Sequence, residues 1–205
     1  MTRGKRRISL KCRFFRRFFF LILLLIAILA AVDPTFTARS ALDRALNKVQ
    51  FPPCTILQEG DGAGLLNWVD PPPQERWYTF SGGGYAGFSL VYQSQFGWNC
   101  ARLLTLSLDK TPMNIAYSSS GLMFLIYCDQ PAASVAAWYE EEPYHWTSLS
   151  LGDGLFLLYP DFTRTDVAPA VFGFGPGIRV AALDAEGQTV CELVLGDDYS
   201  RYMMF

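Results

Sequence analysis

This sequence predicts an α+β fold: an N-terminal transmembrane helix followed by a single β-rich exported domain with antiparallel strands and one or two short helices. Three observations predict it. Residues 18–32 (FFFLILLLIAILAAV) are apolar without interruption. Aromatic residues are abundant (Phe 16, Tyr 10, Trp 5), and Gly and Pro punctuate short apolar runs, a combination that favours strands joined by turns. Beyond the apolar segment, helical spacing is confined to residues 37–50 and 131–142.

Charge divides the chain at the apolar segment. Eight of the 17 Lys and Arg precede residue 18, and all 19 Asp and Glu follow residue 32, giving +8 against −10. Cations beside an apolar segment are retained on the cytoplasmic side, so residues 33–205 are expected outside the cytoplasm at a cell membrane. Fifteen residues are short for a span, which wants about 20, and suit a signal-peptide core. A cleavage site, however, needs small residues three apart. Ends at Ala30, Ala31 or Ala38 place Ile28, Leu29 or Phe36 at the upstream position. With Phe14 and Phe15 added to the apolar body and Arg16 and Arg17 snorkelling, the segment reads as an uncleaved anchor; cleavage would make the domain secreted. The chain is thus divided into a basic cytoplasmic leader (1–17), a transmembrane signal-anchor (18–32), a juxtamembrane helix and linker (33–53), and an extracytoplasmic β-rich domain (54–205).

Thr37 to Gln50 carries Ala38, Ala41, Leu42, Ala45, Leu46 and Val49 at helical spacing, with Thr37 as N-cap and Phe51-Pro52-Pro53 as stop. Strands are expected at 55–57, 76–80, 88–92, 102–108, 121–128, 155–159, 171–174, 178–183 and 189–195. Gly82, Gly84 and Gly87 fit G-x-G-x-x-G, but Phe88 to Tyr92 continues as a strand rather than a helix, so the glycines read as a hairpin turn. Asp184-Ala185-Glu186-Gly187-Gln188 is a second hairpin signal. Pro131 to Glu142 reads as an Ala-rich helix capped by Asp129.

Four exported cysteines permit two disulfides. If 102–108 and 121–128 pair antiparallel around a loop at Asn114, Cys100 falls opposite Cys128, and Cys54 is left for Cys191.

Catalytic signals are sparse. His145 is the only histidine, and neither a G-x-S-x-G elbow nor an EF-hand spacing accompanies it. Its neighbours Glu140, Glu141 and Glu142 read as a solvated helix end rather than a zinc site. Asp61, Asp153 and Asp161 are candidate acids for a carboxylate-dependent hydrolase. Trp68, Trp77, Trp98 and Trp146 are candidate aromatics for a protein- or carbohydrate-binding face. No cofactor is implied, and the acidic exported part argues against nucleic acid as a partner.

The basic leader, the apolar anchor, the short helix Ala41-Leu42-Asp43-Arg44-Ala45-Leu46 and Phe51-Pro52-Pro53 together resemble small membrane-anchored bacterial extracytoplasmic proteins of unknown function. The closing hairpin at Val180 to Leu195 belongs to the same resemblance. The His-containing loop of such proteins would fall near Glu59 to Gly64, where this chain has no His. The resemblance implies location rather than activity.

The expectation is therefore a single-pass, membrane-anchored extracytoplasmic protein with a non-enzymatic ligand- or partner-binding domain. Two alternatives stand beside it: an extracytoplasmic carboxylate-dependent hydrolase, and a structural accessory subunit of a membrane complex, contacting it through the anchor helix and residues 37–50.

Overall fold

The computed structural model describes residues 10–32, 35–62, 73–109, 112–118, 123–139, 142–143, 146–160, 178–195 and 203–204. Trp68, His145, Glu140, Glu141, Asp161 and the strand expected at 171–174 lie outside the described residues. What is described is mostly antiparallel β-sheet with two helices.

The first helix, α1 (Leu10–Val32), has exposed side chains wherever they are described, including Phe14, Phe18, Leu21 and Ile26. Among the described residues no helix is long and apolar enough to cross a membrane. This tempers the expected span over 18–32. At a rise of about 1.5 Å per residue, that uninterrupted run covers only about 22 Å of a hydrocarbon layer about 30 Å thick.

The second helix, α2 (Ala38–Lys48), starts at a capping box. The Thr37 hydroxyl accepts from the Ser40 N–H at 3.1 Å, and the Ser40 hydroxyl accepts from the Thr37 N–H at 3.3 Å. Its stripe of Ala38, Ala41, Leu42 and Leu46 is buried against the first sheet.

That sheet is an antiparallel meander of β1 (Thr55–Asp61), β2 (Glu75–Gly82), β3 (Tyr85–Ser94) and β4 (Gly97–Ser107), in that order. Gly82 pairs with Tyr85, leaving Gly83 and Gly84 as a two-residue turn with φ of 60° and 80°. Both central residues of such a turn need positive φ, which glycine adopts freely. The glycine cluster is a hairpin, not a phosphate cradle.

The second sheet takes β5 (Met113–Ser118), β6 (Phe124–Cys128), β9 (Trp146–Gly152), β10 (Leu155–Pro160) and β13 (Met203–Met204), ordered β13-β5-β6-β10-β9. The third takes β7 (Ser134–Tyr139), β8 (Glu142–Pro143), β11 (Ile178–Leu183) and β12 (Thr189–Val194), ordered β12-β11-β7-β8. Among the described residues, only the short β13–β5 pairing is parallel.

Stacking follows from which side chains alternate to which face. Phe88, Leu90, Leu104 and Leu106 of the first sheet pack on Ala116, Leu125, Leu155 and Leu157 of the second. The other face of the second sheet, with Ile115, Phe124, Ile126 and Phe156, packs on Val135, Ala137, Val180 and Ala182 of the third. The layers are thus α2, first sheet, second sheet and third sheet. Phe124-Leu125-Ile126 is continuously apolar because β6, in the middle layer, is buried on both faces.

Two expectations are corrected here. The described residues of the segment expected as a helix over 131–142 are not helical: Val135 and Ala137 alternate into the core, and β7 pairs with β11 from Ser134 to Tyr139. A strand partner alongside overrides the modest helix preference of a six-residue Ala-containing stretch. Nor does 102–108 pair with 121–128. Leu104 lies opposite Phe88, and the intended loop residue Asn114 sits inside β5 opposite Tyr127.

Candidate functional site

The end of the domain nearest α1 is built around Thr35. The Trp98 N–H donates to the Thr35 carbonyl at 2.7 Å, and the Thr35 hydroxyl donates to the Trp98 carbonyl. Both backbone groups of Trp98 are thereby engaged at the open side of β4. The indole itself is buried in the cluster beneath α2 with Leu42, Tyr78 and Val91. Gly97 makes this approach feasible. Its φ is 119°, and a Cβ there would stand 2.4 Å from the Thr35 carbonyl oxygen.

Phenylalanines facing solvent flank this contact, one residue after Thr35 and two before Trp98. Phe36 is 80% exposed and Phe96 is 75% exposed. Phe96 occupies the tip of the β3–β4 hairpin, where turn chemistry favours polar or small residues. The tip is tied by its own polar groups. Ser94 Oγ donates to the Gly97 carbonyl at 2.9 Å and accepts from the Phe96 N–H at 3.2 Å, while Asn99 Nδ2 donates to Ser94 Oγ at 2.8 Å. A fixed turn therefore holds an apolar ring in water. Chain length places α1 close by, since three peptide steps from Val32 to Thr35 reach at most about 11 Å.

The expected aromatic face is not assembled. Trp98 is buried, and Trp77 packs between the first and second sheets, stacked on Phe88 at a ring separation of 6.5 Å. Gly60, opposite Trp77 in the β1–β2 register, leaves room for it; a Cβ there would stand 2.6 Å from the indole. Trp146 lies against the core between the second and third sheets, edge-on to Phe124 at 5.3 Å. The three Trp residues thus pack into three different interfaces between layers. Phe96 is marked in the sequence as a lone aromatic in the polar turn Ser94-Gln95-Phe96-Gly97, whereas no local signal marks Phe36.

Among the candidate acids, Asp61 is a surface partner of Arg76 at 3.5 Å. Asp153 and Gly154 form the β9–β10 turn with φ of 50° and 73°. Among the described residues no group of three His, Cys, Asp or Glu is placed to hold a metal ion.

The cysteines are arranged differently from the expected pairing. Cys100 points beneath α2, beside Ser89 Oγ at 3.4 Å, while Cys128 lies between the second and third sheets. The first and second sheets together separate their side chains. Cys54 likewise belongs to the α2 side, so it does not face Cys191. Instead Cys128 and Cys191 face each other across the core, with Sγ atoms 3.1 Å apart. All four are free thiols here. Burial, and a thiol–thiol hydrogen bond with Cys128, push the Cys191 thiol up to about 12.

Fold and site together define a layered, antiparallel β domain led by a helix with exposed apolar side chains. The chain matches no family model, no curated protein and no solved structure.

Proposed function

We propose that this is a single-pass membrane-anchored protein whose β-rich domain lies outside the cytoplasm and binds a ligand or a protein or carbohydrate partner without catalysing a reaction. The observation that carries the reading is α1, whose phenylalanine, leucine and isoleucine side chains are exposed wherever described. Such a band left in water is unfavourable by about 25 cal/mol per Å², and a bilayer covers it. Residues 14–32 extend the apolar body to about 28 Å if Arg16 and Arg17 snorkel toward the headgroups. The basic leader supplies the cytoplasmic orientation, and the acidic domain suits the opposite side. The resemblance to small bacterial extracytoplasmic proteins belongs to the same reading.

Phe36 and Phe96 give this tether a definite geometry. With α1 in the bilayer, the Thr35 junction lies within about 11 Å of the helix end, at headgroup depth. The two exposed rings then enter the interface and orient the domain on the membrane. The α2 stripe offers the accessory-subunit alternative no free surface, because the first sheet covers it.

Fractionation of cells expressing the full chain tests the tether. The protein is expected in the membrane pellet after alkaline carbonate washing, with residues 35–195 cleaved by protease added outside intact spheroplasts. Release by carbonate, or full protection from outside protease until lysis, would overturn the proposal. Cross-linking on intact cells followed by copurification identifies the partner.

A further inference from the structure

The geometry points to a disulfide between Cys128 and Cys191 that staples the second sheet to the third, on the basis of five observations. The Sγ atoms stand 3.1 Å apart, so forming a bond of about 2.05 Å requires an approach of only about 1 Å. Both residues sit on paired strands, Cys128 opposite Met113 and Cys191 opposite Ala182 beside a β-bulge, so the backbone already presents them. The β9–β10 turn holds Cys128 further. Its N–H donates to the Gly154 carbonyl at 2.9 Å, and a Cβ on Gly154 would stand 2.3 Å from the Cys128 carbonyl oxygen. Both cysteines are buried among apolar neighbours such as Met113, Val135 and Leu195. Cys54 and Cys100 lie on the far side of two sheets and cannot compete for either partner.

The chemistry is thiol–disulfide exchange with an oxidised dithiol catalyst of the extracytoplasmic space. One cysteine loses its proton and its thiolate attacks the catalyst disulfide, forming a mixed disulfide and releasing one catalyst thiolate. The second cysteine, deprotonated in turn, displaces the other catalyst sulfur. The chain is oxidised by two electrons, the catalyst leaves as a dithiol, and the two protons released by the chain are taken up there. Because both sulfurs are covered in the folded domain, exchange occurs before the second and third sheets close, and the finished bond is shielded from small reductants. The bond closes a long loop, since 63 positions separate the two residues. It is therefore expected to raise the midpoint of thermal unfolding by on the order of 10 °C.

Export supplies the oxidant in cells, and to that extent the inference rests on the proposed location. The test separates the two. The full chain, denatured and reduced in detergent, is refolded in a glutathione redox buffer, alkylated under denaturing conditions and digested. A single linked peptide pair carrying Cys128 and Cys191 is expected, with Cys12, Cys54 and Cys100 alkylated. Alkylation of all five, or linkage of Cys128 to another cysteine, would overturn the staple. Cys54→Ser with Cys100→Ser must preserve the bond and its thermal shift; loss of either would also overturn it. Protein trapped by acid directly from cells reports the compartment: if it is reduced there but forms the pair in glutathione buffer, the location fails and the staple stands.

Discussion

The ring of Phe80 fills the space over Gly87, its nearest carbons 2.3 Å from where a Cβ on that glycine would stand. The two residues lie directly opposite each other on β2 and β3. The ring also meets Phe51 edge-on, with centroids 5.1 Å apart, so it has no room to retreat. Gly87→Ala is therefore expected to cost about 2–3 kcal/mol in denaturant unfolding. Adding Phe80→Leu, which shortens the intruding side chain, should recover part of the loss. A change under about 0.5 kcal/mol for Gly87→Ala would show that the ring moves freely.

The docked helix α2 separates buried from surface contributions. Leu42 is fully buried beneath it, and Leu42→Ala is expected to cost about 2–5 kcal/mol. Thr37→Ala removes half of the capping box and should cost about 1 kcal/mol. Asp43→Ala breaks only the exposed Arg39–Asp43 pair and should change stability by less than about 0.5 kcal/mol. Urea midpoints for the three variants check this ranking, and an Asp43 effect as large as that of Leu42 would contradict it.

Local chemistry was legible in the sequence, whereas the stacking of layers was not. Gly83-Gly84 and Asp184 to Gln188 declared their hairpins because turn conformations select residues locally. Thr37 and the 3.6-residue stripe likewise disclosed α2 and its buried face. The segment 131–142 misled because Val135, Ala136 and Ala137 satisfy either period until a neighbour, β11, is supplied. The cysteine pairing failed for a related reason. Cys128 meets Cys191 across two stacked sheets, a contact that strand register cannot reveal. A clue was present in Phe124 to Cys128, whose unbroken apolar character marks a strand covered on both faces.

In the reduced protein, the Cys191 thiol makes stability depend on alkaline pH. The Cys191 thiol is raised from 9.0 to about 12 in the fold, so the folded state holds its proton where the unfolded chain releases it. The unfolded state then binds fewer protons between these values, and stability falls as pH rises. The contribution is complete below about pH 9 and is lost progressively toward about pH 12. Burial also raises the Cys100 and Tyr78 acids, which adds slope of the same sign. Unfolding midpoints measured from pH 8 to 11 under reductant should therefore decline less steeply in Cys191→Ala. An unchanged slope would remove Cys191 as a source.

The exposed rings at the Thr35 junction yield a prediction that separates a bilayer contact from accidental exposure. Phe36 and Phe96 contribute little to the folded core, so Phe36→Ser with Phe96→Ser should leave the thermal midpoint within about 2 °C. If the rings lie in the interface, their environment must change when the full chain is reconstituted in vesicles. Phe96→Trp adds an indole at the tip of a hairpin held by Ser94 and Asn99. Its emission beyond that of the parent protein should shift to the blue and be quenched by lipids brominated near the headgroups. Val194→Trp, on the outermost strand of the third sheet and 51% exposed, is the control expected to stay unquenched. Equal quenching at both positions would mean that the domain has no preferred orientation. Absence of quenching at position 96 would place the junction away from the lipid and overturn the contact, because rings this near the end of an inserted helix have only about 11 Å of chain with which to leave the surface.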